Sequence, residues 1–448
     1  MPPLSFSSHL HNAMQLSRYH KVYPSEENPG HVLLFSTRTV AKILVKEETY
    51  RIAKEGGALS PSSEALLAKL GILVHDREEE QRELLSFFDT LNAMNQGLNL
   101  MVALNLDCNF ACTYCYEGDM KGKLYMSEET ADRLVDFAKA RFPDGGKFLI
   151  LDFYGGEPLL SSGLIKRISR DLKSFAESRG AAYSFTLVTN GSLLTRRVVE
   201  DLAPYGLKSV KITLDGPAET HNLCRPFVSG KGSFDTIIAN IKDTCDLVKI
   251  GIGGNYQRDN CEKFPLLLDY LKDSGLTPDK IAMVKFDPVI KQAKENPSPR
   301  ECKGSCTSIN EPWVSDVSVR LREEILKSGY RTQKVQPITC MIESTGSYLV
   351  NFDGVIYKCP GFIGNKGYEI GDLRSGVRDA SPYKLGIWKN EECSACEYLP
   401  LCFGGCRYMT FLRAGNIDGL DCQRAYLDAS LETLVKQEAK YKLKAENR

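Results

Sequence analysis

The chain lacks any excess of charge: 57 Lys and Arg face 57 Asp and Glu over 448 residues. A zero balance gives no electrostatic case for nucleic acid or a membrane surface, and neither is expected as a partner. No uninterrupted apolar run reaches the roughly 18 residues that would suggest a membrane span. The opening residues, MPPLSFSSHLHNAMQLSRYHK, lack the basic-then-apolar layout of a secretory signal, so a cytoplasmic location is the expectation. Low-complexity tracts and short tandem repeats are missing too. Cysteine is what the chain has in plenty, with fifteen. Disulfides are disfavoured in the cytosol, which leaves metal or redox chemistry as the leading explanation and zinc as the competitor.

The length predicts two or three domains. In the first, HVLLFS (His31–Ser36) reads as a strand and Val40–Glu55 as a helical run. A second helix starts at Ser60, Pro61 and Ser62, where a hydroxyl can cap and proline suits the first turn. It runs to Gly71, Ile72–Val74 then begins a wing strand, and a charged helix over Asp76–Met94 leads onward. The order is compatible with a winged helix-turn-helix. From Leu98 to about Pro288, six apolar strands alternate with amphipathic helices: MVALNL, KFLILDFYG, YSFTLVTNG, SVKITLDG, VKIGIGGNY and IAMVKFDPV. That alternation predicts a parallel α/β sheet or incomplete barrel, with its chemistry at the carboxyl ends of the strands. A linker follows (KQAKENPSPRECKGSC), then a helix over about Glu311–Ser328 stopped by Gly329, then a tail dense in Cys, Gly and aromatics and a charged closing helix.

After the first of these strands comes Asp107-Cys108-Asn109-Phe110-Ala111-Cys112-Thr113-Tyr114-Cys115. The spacing is Cys-x3-Cys-x2-Cys, and neither His nor Cys recurs before His221. A structural zinc site wants a fourth protein ligand nearby. Three thiolates can instead hold three irons of a [4Fe–4S] cubane and leave the fourth open to an outside ligand.

This loop, with an aromatic before its last cysteine, resembles the signature of the radical S-adenosylmethionine (SAM) superfamily. FYGGEP (Phe153–Pro158) resembles that superfamily's Gly-Gly-Glu-Pro motif. Gly155 and Gly156 would let backbone approach a ligand closely, and Glu157 would accept hydrogen bonds from the SAM ammonium. By the same resemblance, Thr189 and Asn190 in LVTNG and Asp215 in ITLDGP line the ribose and substrate side. Loop capping is the plain alternative for those three. Arg225 resembles the arginine that pairs with the SAM carboxylate, against a surface salt bridge, and Tyr114 would pack near adenine, against a core position. The resemblance implies that SAM chelates the open iron and that the reduced cluster cleaves it to a 5′-deoxyadenosyl radical, which abstracts hydrogen from a C–H bond.

The tail reads Cys340-x13-Gly354-x4-Cys359, Cys393-x2-Cys396-x5-Cys402-x3-Cys406 and Cys422. Seven thiolates do not divide into two four-cysteine zinc sites. The pattern resembles the SPASM extension of radical SAM proteins. That resemblance implies two auxiliary [4Fe–4S] clusters, cluster I on Cys340, Cys359 and Cys406 and cluster II on Cys393, Cys396, Cys402 and Cys422. The crossing would staple a tail with little apolar core of its own. Where relatives place an extra cysteine, this chain has Gly346 and Ser347. The fourth position of cluster I is therefore open to a substrate thiolate, or to Cys302 or Cys306 from the linker, or those two are inert. Cys224, Cys245 and Cys261 read as small buried hydrophobes.

The fold implied is α/β: a partial (β/α)6 TIM-like barrel with an N-terminal winged-helix peptide-recognition domain and a C-terminal Cys-rich SPASM domain. Residues 1–95 form the recognition domain and linker helix, 96–290 the barrel, 291–335 the linker and bridging helix, and 336–448 the SPASM domain and closing helix. SPASM proteins act on peptides or proteins. Sulfatase-maturing enzymes, which make formylglycine, carry an Asp directly after a tail cysteine, but here Pro360, Gly361 and Phe362 follow Cys359. The layout resembles that of enzymes that crosslink ribosomally made peptides, with a thioether or a carbon–carbon bond. The resemblance implies a precursor peptide whose leader adds as a strand near His31–Ser36, and a flavodoxin or ferredoxin as reductant. A non-catalytic iron–sulfur electron carrier is the reading outside enzymology, and the open iron speaks against it.

Overall fold

The computed structural model describes residues 14–115, 117, 118, 120–290, 306, 308–338 and 340–446. The linker residues 291–305, Cys302 among them, lie outside this set.

The N-terminal unit is built on a three-stranded antiparallel sheet, β2-β3-β4, and a small pair, β1 (Gln15–Leu16) with β5 (Leu73–Val74). β2 spans His20–Pro24, β3 His31–Ser36 and β4 Lys42–Lys46, followed by α1 (Glu47–Lys54) and α2 (Pro61–Lys69). The expected helix over Val40–Glu55 is thus half strand. Lys42-Ile43-Leu44-Val45-Lys46 alternates around two β-branched residues and pairs with β3, so the cross-strand partner wins over helical periodicity. Ser60 caps α2 as its sequence suggests, its Oγ accepting from Ser63 N at 3.2 Å. The charged helix begins at Arg77 on the Asp76 cap and breaks at Ser86 into α3 (Arg77–Leu85) and α4 (Phe87–Ala93).

β3 is the middle strand, paired with β2 on one side and β4 on the other. Both rows of its backbone groups are used. A leader peptide has no edge to join at His31–Ser36, which corrects that expectation; among the described residues the unpaired edges are those of β2 and β4.

The centre of the molecule is a ten-stranded sheet in the order β11-β10-β9-β8-β7-β6-β12-β13-β14-β15. Six consecutive strands, β6 (Gly97–Ala103), β7 (Phe148–Tyr154), β8 (Ala182–Thr189), β9 (Leu207–Thr213), β10 (Lys249–Tyr256) and β11 (Ile281–Pro288), run parallel. Helices cross between them, among them α5 (Glu128–Arg141), α6 (Ser162–Ser178), α7 (Arg196–Leu202), α8 (Ala218–Cys224), α9 (Phe234–Thr244) and α10 (Phe264–Asp273). In β7, Leu149, Leu151 and Phe153 alternate into the core and are fully buried. The sheet is open, with β11 and β15 at its ends.

α11 (Pro312–Lys327) precedes the tail, which enters this same sheet. β12 (Ser347–Val350) lies parallel to β6, and β13 (Val355–Tyr357), β14 (Gly371–Asp372) and β15 (Gly376–Val377) add antiparallel hairpins. The cysteine-rich tail therefore sits beside the strand that launches the cysteine loop. α12 (Glu391–Ser394), α13 (Leu399–Cys402), α14 (Arg407–Ala414) and α15 (Arg424–Glu446) complete the chain. The tail is better packed than expected, since Phe362, Tyr383, Trp388 and Leu399 are wholly buried. It also shares cores with the N-terminal unit. Tyr23, Leu33 and Phe35 pack with Cys396, Tyr398, Leu401 and Cys402, while Tyr19 and Phe88 join Trp388 and Phe403.

Candidate active site

The cysteine loop leaves the end of β6 and returns to α5. Leu106 N to Leu124 O (2.9 Å) and Met126 N to Leu104 O (2.8 Å) close its base. Its far side is tied to the segment after α8, with Ala111 N on Pro226 O and Thr113 N on Cys224 O, both at 2.9 Å. The Phe110 and Phe227 rings meet edge to face, 4.9 Å between centroids. Held at both ends, the loop brings Cys108, Cys112 and Cys115 together at the carboxyl end of β6. Burial pushes the Cys108 thiol up to about 11 and raises that of Cys115, and Cys112 adds to both. Cys224, whose carbonyl anchors the loop, turns its own sulfur toward Asn260 Nδ2 at 4.0 Å.

The donors fit an iron–sulfur cluster better than a single ion. Among the described residues, no three His, Cys, Asp or Glu side chains converge as ligands of one metal ion. Thiolates of a cubane reach different irons and stand further apart. Cys108 Sγ accepts from Phe110 N (3.4 Å) and Asn190 Nδ2 (3.8 Å), the kind of N–H support that orients a thiolate ligand. Thiols made reluctant to ionise by burial need a positive partner, and a metal provides one as it displaces their protons.

Gly155 and Gly156 press the end of β7 onto the cysteine loop. A Cβ at Gly155 would stand 2.3 Å from Asn105 O, and one at Gly156 2.1 Å from Asp107 O. Gly155 also has φ +122°. Close approach is required here, as expected, but the partner is the loop's own backbone rather than a ligand. Glu157 is held from within the protein. Its carboxylate is fully buried and accepts from Leu159 N (3.0 Å), Thr189 Oγ1 (2.7 Å) and Asn190 N (2.8 Å). These three bonds tie the end of β7 to the end of β8. Thr189 serves that tie. Asn190 Nδ2 turns to Asn109 Oδ1 (2.7 Å) and Cys108 rather than to an open ribose side.

Asp215, at the end of β9, is fully buried and accepts from Asn255 N (2.7 Å) and from the Tyr114 hydroxyl. That hydroxyl in turn accepts from Arg225 Nη1 (2.7 Å) and Asn255 Nδ2 (3.0 Å). Burial raises the Asp215 pKa, and Arg225 opposes the rise. Arg225 is an interior residue, not part of a surface ion pair, and its Nε is buried with no hydrogen-bond partner among the described residues. An incoming carboxylate would satisfy it.

In the tail, Cys340, Cys359 and Cys406 are neighbours. Burial raises all three thiols, and Cys340 and Cys406 each act on Cys359. Cys406 is exposed to solvent. Cys393, Cys396, Cys402 and Cys422 form a second neighbourhood; burial pushes Cys402 up to about 12, and the other three thiols add to the rise. Cys306 belongs to neither. It is buried at the end of β11, its N on Val289 O (2.9 Å), with Glu311 as its charged neighbour, so it does not complete the Cys340 group. Cys261 is buried as expected, whereas Cys224 and Cys245 are half-buried.

Two residues escaped sequence reasoning. Lys121 donates to Phe110 O (3.0 Å) and bonds Cys115, placing an ammonium among the loop thiols. Tyr154, the last residue of β7, has its pKa raised by burial and then by both Cys115 and Cys359, so it stands between the loop and the tail thiols. Its place directly before Gly155 was the available signal.

An open parallel α/β sheet with a three-thiol loop at the end of its first central strand defines the architecture. The family model of the Radical SAM superfamily matches residues 104–256, and the chain carries a radical SAM domain. The cysteine-type anaerobic sulfatase-maturating enzyme of Clostridium novyi is 23% identical over 341 residues, which span 67% of this chain and 85% of that one. Among solved structures, hexahistidine-tagged anSMEcpe with bound AdoMet superposes with a TM-score of 0.61 at 18% identity, covering 78% of this chain and 96% of the other. Streptococcus suis SuiB bound to its precursor peptide SuiA gives 0.53 at 14% identity, over 91% and 99%. The two structural likenesses establish the shared fold.

Proposed function

We propose that this chain is a radical SAM enzyme that crosslinks a ribosomally made precursor peptide, with a thioether as the bond formed. The observation that carries the reading is the loop of three grouped thiols at the end of β6, with Cys224 turned away from it. Cys108, Cys112 and Cys115 would hold a [4Fe–4S] cluster with SAM on its open iron. When bound, that pair supplies a 5′-deoxyadenosyl radical for hydrogen abstraction from a peptide C–H bond. Arg225 would hold the SAM carboxylate on its unpartnered Nε, and Tyr114, fixed by Asp215, Arg225 and Asn255, would wall the adenine side. Glu157 and Thr189 hold the strand ends in register, and Asn190 orients Cys108.

Cys340, Cys359 and Cys406 would hold auxiliary cluster I, and Cys393, Cys396, Cys402 and Cys422 cluster II. With Cys306 committed elsewhere, a thiolate of the substrate or Cys302 would take the fourth position of cluster I, and the first of these favours the thioether over a carbon–carbon link. The likeness to SuiB with its precursor supports a peptide substrate. A leader segment would extend the N-terminal sheet at β4, with a flavodoxin or ferredoxin delivering the electron.

A second reading, formylglycine formation, is favoured by the Clostridium relative. Mass spectrometry separates the two after co-expression with a cysteine-containing precursor encoded beside this gene. A thioether removes a hydrogen pair and keeps sulfur in the peptide. Loss of the cysteine sulfur would overturn the crosslinking reading in favour of the second.

A further inference from the structure

Lys121 is a charged group near the loop thiols that the mechanism leaves unused. Lys121 comes back to the loop through a tight turn, Gly118 N on Cys115 O (2.9 Å) and Met120 N on Glu117 O (2.8 Å). Its ammonium donates to the carbonyl of Phe110, which lies between Cys108 and Cys112, at 3.0 Å, and also bonds Cys115. Cys108, Cys112 and Cys115 each interact favourably with it. Glu117 is buried, feels the Lys121 charge, and has one carboxylate oxygen without a hydrogen-bond partner among the described residues.

We infer that Lys121 is the charge partner of the catalytic cluster and sets its reduction potential. The inference rests on the proposed radical SAM reading. A cubane on three thiolates carries one negative charge when oxidised and two when reduced, so a half-buried cation stabilises the reduced form more. Net charge and hydrogen bonds to sulfur are the terms that set such potentials. In the interior the interaction is poorly screened and stronger than at the surface. Lys121 therefore makes the electron easier to accept. It is a positioning residue; it touches the ligands and not the reacting atoms.

The test uses the full chain, reconstituted anaerobically with iron and sulfide, as wild type, K121R, K121M and K121Q. EPR-monitored redox titration follows the one reduced-cluster signal that changes when SAM is added. The inference expects K121R to keep the wild-type midpoint and K121M to titrate at a more negative potential. An unchanged midpoint in K121M would overturn it. Should K121M lose its iron, K121Q decides, because it keeps a donor for the Phe110 carbonyl but no charge: a wild-type midpoint there overturns the inference. Loss of the cluster from both, with retention in K121R, assigns the cation to assembly and equally overturns a role in potential. A wild type with no SAM-responsive signal would sink the radical SAM reading itself, which is a separate outcome.

Discussion

Arg225 donates from Nη1 to the hydroxyl of Tyr114 at 2.7 Å, fastening the residue before the third loop cysteine to the segment after α8. Tyr114 passes its own proton toward buried Asp215, so one hydroxyl joins the ends of β6, β9 and β10. Replacing Tyr114 with Phe removes three hydrogen bonds and leaves Asp215 short of a donor. Leaving one buried polar group unsatisfied costs about 1–3 kcal/mol. Y114F should lose about that much in a denaturant titration and bind SAM more weakly by equilibrium dialysis. Unchanged stability would show that the network is not closed as described.

His221 gives the fold a pH dependence of known sign. Burial, then Arg225, lowers its pKa from 6.5 to about 3. Its Nδ1 faces Asp215 N (3.2 Å) and its Nε2 faces Ser233 Oγ (3.0 Å), so the neutral ring is the one that fits. The unfolded chain takes up a proton near 6.5 and the folded one does not. This contribution is complete above that value and is lost as pH falls from 6.5 toward 3. The metal-free protein should therefore lose stability across that window, by on the order of a few kcal/mol. H221Q should flatten the slope in urea melts at pH 4, 5 and 7; a parallel slope would contradict the assignment.

Phe35, on the central strand of the N-terminal sheet, is fully buried in the cluster that contains Cys396 and Cys402. Thr37 Oγ1 on Glu397 O (2.6 Å) and Tyr19 OH on Ser394 O (3.3 Å) hold the same seam. F35A should cost about 3–5 kcal/mol through its cavity. It should also lower iron by roughly four per chain, the content of one cubane. Iron analysis of the reconstituted variant checks this, and full retention would mean that the seam does not guard cluster II.

The pairing of β3 on both sides moves the expected leader contact to the free edge at Lys42–Lys46. Hydrogen exchange with and without leader peptide should show new protection in β4 amides and none in β3. Protection absent from β4 would remove the strand-addition model.

Local chemistry was legible in the chain and distant chemistry was not. Cys108, Cys112 and Cys115 span one short loop, so their spacing already carries their meaning; the six parallel strands announced themselves through runs such as FLILDFY. The bonds of Glu157 to Thr189 and Asn190 were not legible, because those partners lie a whole βα unit away. Tyr154 was invisible for the same reason, since the parallel pairing of β12 with β6 brings the tail to it, whereas Lys121 lies close in sequence and only the turn after Cys115 delivers it to the thiols. β4 was missed although Ile43 and Val45 alternate, because the helical residues that follow it blurred the boundary.

The most direct test of the central claim is formation of 5′-deoxyadenosine. Anaerobically reconstituted protein carrying about twelve irons (roughly four per cubane) would be incubated with SAM and dithionite and the product followed by chromatography. The account predicts 5′-deoxyadenosine from wild type and none from C112A, which should retain about eight irons on the same basis. A fully loaded wild type that makes none, or a C112A variant that makes as much, would contradict it.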